Sequence, residues 1–359
     1  MTGTMDRVRS AVGAGRSWGR TVTDGSSSGN GHRSGDGAPA QTRRRRRGGG
    51  EQPMVPDAEF TSYYGRPVVR PSPWTADIPA YLFLGGLAGG SSLLAAGADL
   101  TGLAGLRRAT RATALAALGG GTYALVHDLG RPSRMHHMLR VAKPTSPMSV
   151  GSWLLAAYGP LAGAAAASEL APAVLGEGRA AAVLRLGRAA GLGAAGFAPA
   201  VASYTGVLLG DTATPTWAEA GPYLPWLFVS GAAAAAGGAA LVTAPRGQSA
   251  PARRLGLAGA VGELVATEVV KRRAGLAGEP MGQGRAGRYA RGARWCTVAG
   301  AGLGLSVGGR SRLGAAAAGA LLAAGSWCSR FAVFHGGQQS AADPRYTVVP
   351  QRERLRPGT

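Results

Sequence analysis

The sequence predicts an all-α fold, a polytopic integral membrane helical bundle with about eight transmembrane helices. First, the chain is 45% hydrophobic and only 16% charged, and long windows after Ile78 carry no charge. Second, several of these windows approach the roughly 20 apolar residues that a helix needs to cross a bilayer. Third, the 60 glycines lie among Ala and Leu without a Gly-X-Y period, and small side chains of this kind let helices approach closely in lipid.

Eight candidate spans emerge as uncharged windows bounded by Arg, Pro or polar turns. They cover residues 78–98, 109–126, 148–168, 189–209, 223–244, 255–270, 295–309 and 313–333. The sixth span is weak because it contains Glu263 and Glu268, and the seventh because it is short before Arg310. An even number of crossings places both chain termini on one side of the membrane.

The predicted domain organisation has four parts. Residues 1–58 form a disordered basic tail, 59–76 a pre-membrane segment, 77–335 the eight-helix bundle and 336–359 a carboxyl-terminal tail. The formal charge of +21 and the five arginines at 43–47 invite a nucleic-acid interpretation. We favour a tail held at the membrane surface, where anionic lipid attracts each Arg by about 1 kcal/mol, and we expect no nucleic-acid partner.

Loop charges predict the orientation of the chain. The segments on the side of the termini contain 27 Lys and Arg residues, and those on the opposite side contain 11. Without the first 76 residues, the side of the termini contains 15 and the opposite side still contains 11. By the positive-inside rule both termini are cytoplasmic in a multi-pass protein of the cell membrane. Tryptophans near the span ends are expected to anchor the helices at the interface; they are Trp74, Trp153, Trp217, Trp226 and Trp295.

The most specific sequence signal is a set of short motifs around the first spans. Tyr-Tyr-Gly-Arg-Pro occupies residues 63–67, Asp-Leu-Gly-Arg-Pro residues 128–132 and Ser-Pro-Met-Ser-Val-Gly-Ser-Trp residues 146–153. Tyr-Thr-Gly follows at 204–206 and Ser-Ala-Ala-Asp-Pro at 340–344. Together these segments resemble the NrfD/PsrC family, the membrane subunits of polysulfide reductase, nitrite reductase and related complexes.

The resemblance implies an eight-helix subunit of a bacterial inner membrane that binds menaquinone or another quinone as a substrate near one membrane face. It also implies electron exchange with a ferredoxin-like iron–sulfur subunit, which serves a molybdopterin catalytic subunit. Neither haem nor a metal is expected in this chain. The face that holds the partner stays open, because several family complexes dock it outside the cytoplasm whereas the loop charges here place the amino-terminal face inside.

The candidate site lies where the first span begins and the second ends. Hydroquinone oxidation releases protons with its electrons, so the site needs groups that accept protons, and His127 and Asp128 are the candidate catalytic residues. Asp128 and Arg131 are three residues apart and can pair, or they can simply cap the helix and fix the turn at Pro132. The candidate quinone-binding residues are Trp74, Tyr81, Asp128, Arg131 and Tyr204.

A second ionisable pair lies on the sixth span. Glu263 and Glu268 are candidates for a proton relay, and the simpler alternative is pairing with Arg253, Arg254 or Lys271 near the bilayer surface. The rival functions are a proton or solute transporter, which these carboxylates would serve, and a purely structural membrane anchor for the reductase.

Overall fold

The computed structural model describes residues 67–306 and 311–355. These residues contain eight helices of 20 residues or more and no strand, so the predicted all-α bundle is confirmed. The helices are α1 (Asp77–Leu100), α2 (Ala104–Asp128), α3 (Pro147–Ser168), α4 (Glu177–Gly210), α5 (Leu224–Thr243), α6 (Ala250–Arg273), α7 (Gly284–Ser306) and α8 (Arg312–Ala342), and a shorter helix, α9 (Arg345–Leu355), follows. The predicted tail at 1–58 lies outside the described residues.

Five of the long helices are long and apolar enough to cross a membrane. They are α1, α3, α4, α5 and α8. The other three are less apolar, since α2, α6 and α7 each carry several arginines along their length. The chain is therefore a polytopic helical membrane protein, and the count of eight crossings stays a prediction.

Several helices extend well beyond the apolar windows. Helix α4 begins at Glu177 rather than at 189, α7 begins at Gly284 rather than at 295, and α8 continues to Ala342 rather than ending at 333. Hydropathy windows stop at the first charged side chains, whereas Ala and Arg are good helix formers and let the helix continue. The windows therefore located the helices but not their ends.

Helix α1 lies in the centre of the bundle. Consecutive helices pack as hairpins, and α1 also packs against both α4 and α5. A Cβ atom added to Gly89 would lie 2.8 Å from the carbonyl oxygen of Ala198, and one added to Gly90 would lie 2.7 Å from that of Ala232. Only glycine permits these approaches, so α1 is held between its neighbours by backbone contact.

The bundle has two ends, which we name the first end, where α1 begins and α2 finishes, and the second end, where α1 finishes and α2 begins. At the first end the short helix Pro215–Ala220 folds back over the bundle. It buries Trp217, whose Nε1 donates to the carbonyl oxygen of Val333 at 2.8 Å. The prediction of an interfacial anchor is therefore wrong for Trp217, because its segment packs inward rather than projecting toward lipid. Trp153, Trp226 and Trp295 are exposed.

The second end is closed by an ionic cluster that the sequence analysis did not anticipate. The carboxylate of Glu169 lies 2.7 Å from Arg107 and 2.8 Å from Arg111, and that of Asp99 lies 3.1 Å from Arg107 and 3.4 Å from Arg188. These residues come from α1, α2, α4 and the end of α3. Hydropathy places these charged residues in separate loops. In the structure their ion pairs connect four helices.

Candidate functional site

A cavity of about 240 Å³ opens at the first end, between the beginning of α1, the end of α2, α3 and α4. Four side chains predicted to bind quinone line it together. Trp74 directly precedes α1, Tyr81 lies near its start, Asp128 is the last residue of α2, and Tyr204 lies in the last two turns of α4. The fold therefore brings these four residues to one place from three separate stretches of sequence.

The walls of this cavity are mostly apolar. Ile78, Leu125, Met148, Leu155 and Leu208 contribute to its lining. An apolar cavity with a few convergent polar groups is typical of a site for a small organic molecule. The walls suit a planar apolar ring, and the few polar groups suit oxygen atoms at its edge.

Two aromatic residues of the cavity, Trp74 and Tyr204, pack against other parts of the bundle. The Trp74 ring stacks on the buried Trp217 with ring centroids 5.8 Å apart. The Tyr204 ring lies directly over Gly151 of α3, where an added Cβ atom would be only 2.2 Å from a ring carbon. Within the part of the chain that the structure describes, no group is hydrogen-bonded to the hydroxyl of Tyr81 or Tyr204. Both hydroxyls are therefore available to a ligand.

The Asp128 carboxylate is fixed by Thr75. Its Oδ1 accepts hydrogen bonds from the Thr75 backbone N–H at 3.1 Å and from the Thr75 hydroxyl at 2.8 Å. The same hydroxyl lies 3.0 Å from Oδ2 of Asp77, which in turn lies 2.7 Å from Nδ1 of His127. A hydroxyl carries one hydrogen, so Thr75 donates to one carboxylate at a time. The four side chains form a continuous polar chain from the cavity to the exposed His127.

Thr75 is the residue of this site that sequence reasoning missed. It follows Trp74, which was singled out, and it precedes Asp77, but an isolated threonine before a membrane span carries no distinctive pattern. Its contact with Asp128 joins residues 53 positions apart. Only the packing of α1 against α2 reveals it.

Two predicted site residues lie outside the cavity lining. His127 is exposed and reaches the cavity only through Asp77 and Thr75. Arg131 is also exposed. Of the two alternatives for Asp128 and Arg131, the ion pair is not formed among the described residues, and Asp128 is hydrogen-bonded to Thr75 instead. Helix α2 ends at Asp128, and Gly130 then adopts a φ of +67°, so Arg131 does not continue the helical face that pairing requires.

Glu263 lies in a second cavity, of about 540 Å³, bounded by α6, α7 and α8. It is buried, with 3% of its surface exposed, whereas Glu268 lies toward the surface and pairs with Arg272 at 2.7 Å. The alternative of pairing with Arg253, Arg254 or Lys271 is therefore wrong for Glu263, whereas Glu268 does pair with a surface cation of its own helix, Arg272 rather than Lys271. Glu263 points into the bundle, and the cation that pairs with Glu268 is one helical turn further on.

The charged group that faces Glu263 is Arg330 of α8. A Cβ atom added to Gly231 of α5 would lie 2.9 Å from Oε1 of Glu263 and 3.0 Å from Nη2 of Arg330. Arg330 donates to the Phe228 carbonyl oxygen at 2.6 Å. Among the described residues, no group makes a hydrogen bond of good geometry to either Glu263 oxygen. The buried Glu263 carboxylate and the buried Arg330 guanidinium thus both lie beside Gly231 without a hydrogen bond between them.

Among the described residues, no group of three or more His, Cys, Asp or Glu side chains is arranged to hold a metal ion.

Comparison with known proteins assigns the chain to a family. The family model described as "Polysulphide reductase, NrfD" matches residues 68–260, more than half of the 359 residues. No curated protein sequence matches the chain. The matched region contains Trp74, Tyr81, Asp128 and Tyr204, and it ends shortly before Glu263.

Proposed function

Since this chain belongs to the NrfD family of polysulphide reductase membrane subunits, we propose that it is the quinone-reactive subunit of a molybdopterin and iron–sulfur oxidoreductase. The observation that carries the proposal is the 240 Å³ cavity at the first end, lined by two tyrosines, a tryptophan and Asp128. Its apolar walls fit a quinone ring, and its free hydroxyls fit the quinone oxygens. The menaquinone or related quinone is a substrate that enters and leaves this cavity.

The polar chain behind the cavity supports a role in proton transfer. When a quinol is oxidised, two electrons leave for the partner and two protons leave the quinol oxygens. Asp128 is the carboxylate that lines the cavity, so it accepts a proton there. The proton passes through the Thr75 hydroxyl to Asp77 and then to His127, whose imidazole meets water. In the opposite direction the same residues deliver protons to a quinone.

The proposed partners are a ferredoxin-like iron–sulfur subunit and, beyond it, a molybdopterin catalytic subunit. The cavity lies at the first end of the bundle, so the iron–sulfur subunit docks at that end. The loop beside the cavity exposes Arg131, Arg134 and Arg140. These cations favour an acidic docking surface on the partner.

The test is to replace Asp128 with Asn in the complete complex and to measure electron transfer from quinol. General acid–base groups contribute roughly 100-fold to 10,000-fold to a rate, so we expect a loss of at least about 100-fold. Glu177→Gln is the control, because Glu177 is an exposed carboxylate at the start of α4, at the second end of the bundle, and does not line the cavity. Reaction of the catalytic subunit with a soluble electron donor should be unchanged in both variants. A structural anchor would keep full quinol-dependent transfer in Asp128→Asn.

Glu263 favours a second activity of the same subunit, the movement of protons through the membrane. Its carboxylate lines a cavity of about 540 Å³, which has room for several water molecules. A buried acid next to such a cavity is the arrangement that a proton relay needs. Glu268, at the outer part of the same cavity, is the proposed entry point.

This second activity is tested in vesicles that contain the complete complex, by counting protons moved per electron. Glu263→Gln should lower this ratio while electron transfer continues. Glu279→Gln is the control, because Glu279 is exposed and pairs with Arg345 at 3.2 Å. An unchanged ratio in Glu263→Gln would rule the relay out, and proton flux without the partner subunits would instead favour a transporter.

A further inference from the structure

A groove of about 750 Å³ lies between α3 and α4 on the far side of Tyr204 from the small cavity. Apolar side chains dominate the part of its lining that comes from the two helices, with Val150 and Leu154 on α3 and Ala200 and Val207 on α4. Val150 and Val207 are exposed at the surface of the bundle. The groove therefore opens at the surface of the bundle, and residues of the connecting segments, among them Thr145 and Asp211, complete its lining.

Tyr204 separates the groove from the cavity, and it lines both. Along α3, Val150 faces the groove and the next residue, Gly151, faces the cavity. Along α4, Val207 faces the groove and Leu208 faces the cavity. The line of contact between α3 and α4 therefore separates the groove from the cavity. The Tyr204 ring, which lies over Gly151, is positioned on this line.

The size of the cavity limits what it can hold. Sites that enclose a drug-sized ligand measure roughly 300–1,000 Å³, and this cavity measures about 240 Å³. A quinone ring fits such a volume, but the ring together with a long prenyl tail does not. The tail needs an apolar path that is continuous with the ring and open to the membrane.

We propose that the groove between α3 and α4 binds the prenyl tail of the quinone, with the ring and the tail joined at Tyr204. The inference rests on the proposed function, since it assigns the second part of the same ligand. Tyr204 is then a specificity-determining residue: its ring contacts the ligand where the head ends and the tail begins. The groove distinguishes membrane quinones from tail-less ones of the same head chemistry.

The test compares two quinones with the same ring, menaquinone with its prenyl tail and tail-less menadione. The full chain is placed in lipid nanodiscs, and the dissociation constant is measured by quenching of tryptophan fluorescence, with menaquinone expressed as a fraction of the lipid. Val207→Phe fills the groove. Val261→Phe is the matched control, because Val261 is exposed on α6 and lines neither the groove nor the cavity.

Val207→Phe should raise the dissociation constant of menaquinone about tenfold, which corresponds to about 1.4 kcal/mol. Menadione should bind within about twofold of its normal affinity, which also shows that the variant is folded. Val261→Phe should bind both quinones normally.

Three results would overturn the inference: equal weakening for both quinones, equal weakening in Val261→Phe, or no change in Val207→Phe. No change would mean that a phospholipid chain rather than the prenyl tail occupies the groove. If the unaltered chain binds neither quinone, the proposed function itself fails. If it binds both quinones but Val207→Phe has no effect, only the groove assignment fails.

Discussion

Replacement of Thr75 by Val tests the proton route most directly. Valine keeps the branched shape of threonine but puts a methyl group where the hydroxyl was. Asp128 loses the 2.8 Å hydrogen bond and keeps the 3.1 Å bond from the backbone N–H of residue 75. Asp77 keeps its contact with His127 at 2.7 Å. The Thr75 hydroxyl also accepts a hydrogen bond from the Asp77 backbone N–H at 3.3 Å. Thr75→Val therefore removes the link between the two carboxylates together with this one contact at the start of α1, and Thr75→Ser keeps both.

The size of the effect follows from the kind of hydrogen bond. A hydrogen bond to a charged group contributes about 1.5–3 kcal/mol. Thr75 is exposed, and a water molecule can replace part of the lost link, so the lower value applies. About 1.5 kcal/mol in the transition state corresponds to a roughly tenfold fall in the rate of quinol oxidation.

The assay is steady-state quinol oxidation by the complete complex in its membrane, in H₂O and in D₂O. If proton transfer becomes slower, the ratio of the two rates should rise in Thr75→Val. Thr75→Ser restores the hydroxyl and should restore both the rate and the isotope ratio. Thr122→Val is the matched control, since Thr122 is exposed on α2 and does not line the cavity.

The reasoning is refuted if Thr75→Val oxidises quinol within about twofold of Thr75→Ser with the same isotope ratio. In that case Asp128 releases its proton to water without the Thr75 hydroxyl. A loss of the same size in Thr122→Val would point to a general effect on the bundle. Neither result would affect the assignment of the cavity itself.

Two further predictions concern packing. Gly151→Ala places a Cβ atom 2.2 Å from the Tyr204 ring. It should weaken menadione binding at least about tenfold (about 1.4 kcal/mol), measured by fluorescence quenching. The control Gly163→Ala, on the same helix, meets nothing within 4 Å and should bind menadione normally. Arg111→Met removes a cation that is 4% exposed and paired with the Glu169 carboxylate at 2.8 Å. This change should lower the free energy of unfolding by about 3 kcal/mol and lower the midpoint of thermal unfolding in detergent. Arg108→Met, with its side chain 62% exposed, should leave the midpoint nearly unchanged, and equal shifts in the two Arg variants would contradict the role of the cluster.

The sequence was a good guide to the helices and a poorer one to their ends. Apolar windows identified all eight long helices because burial in lipid or in a tightly packed bundle demands a continuous apolar run, which is a local property. The windows failed at Glu177 and Gly284, where helices begin about a dozen residues earlier than predicted. Charge ends a hydropathy window, but it does not end a helix.

The sequence also placed Trp74, Tyr81, Asp128 and Tyr204 in one site, and the fold gathers these side chains around one cavity. The quinone-binding roles stay predictions. Motif spacing was sufficient here because the ends of antiparallel neighbouring helices must meet at the same end of the bundle. The same argument failed for Arg131, because the turn at Gly130 takes the chain away from the helical face.

What the sequence by itself determined is a membrane bundle, its family and the end at which polar residues gather. Tertiary structure alone decided that Thr75 links Asp128 to Asp77, that Glu263 faces Arg330, and that Tyr204 stands between a cavity and a groove. Each of these contacts joins different helices or a helix and the segment before it. Helix formation and hydropathy act over one or two turns of chain, whereas the distance between side chains on different helices depends on how closely glycines such as Gly151 allow those helices to pack.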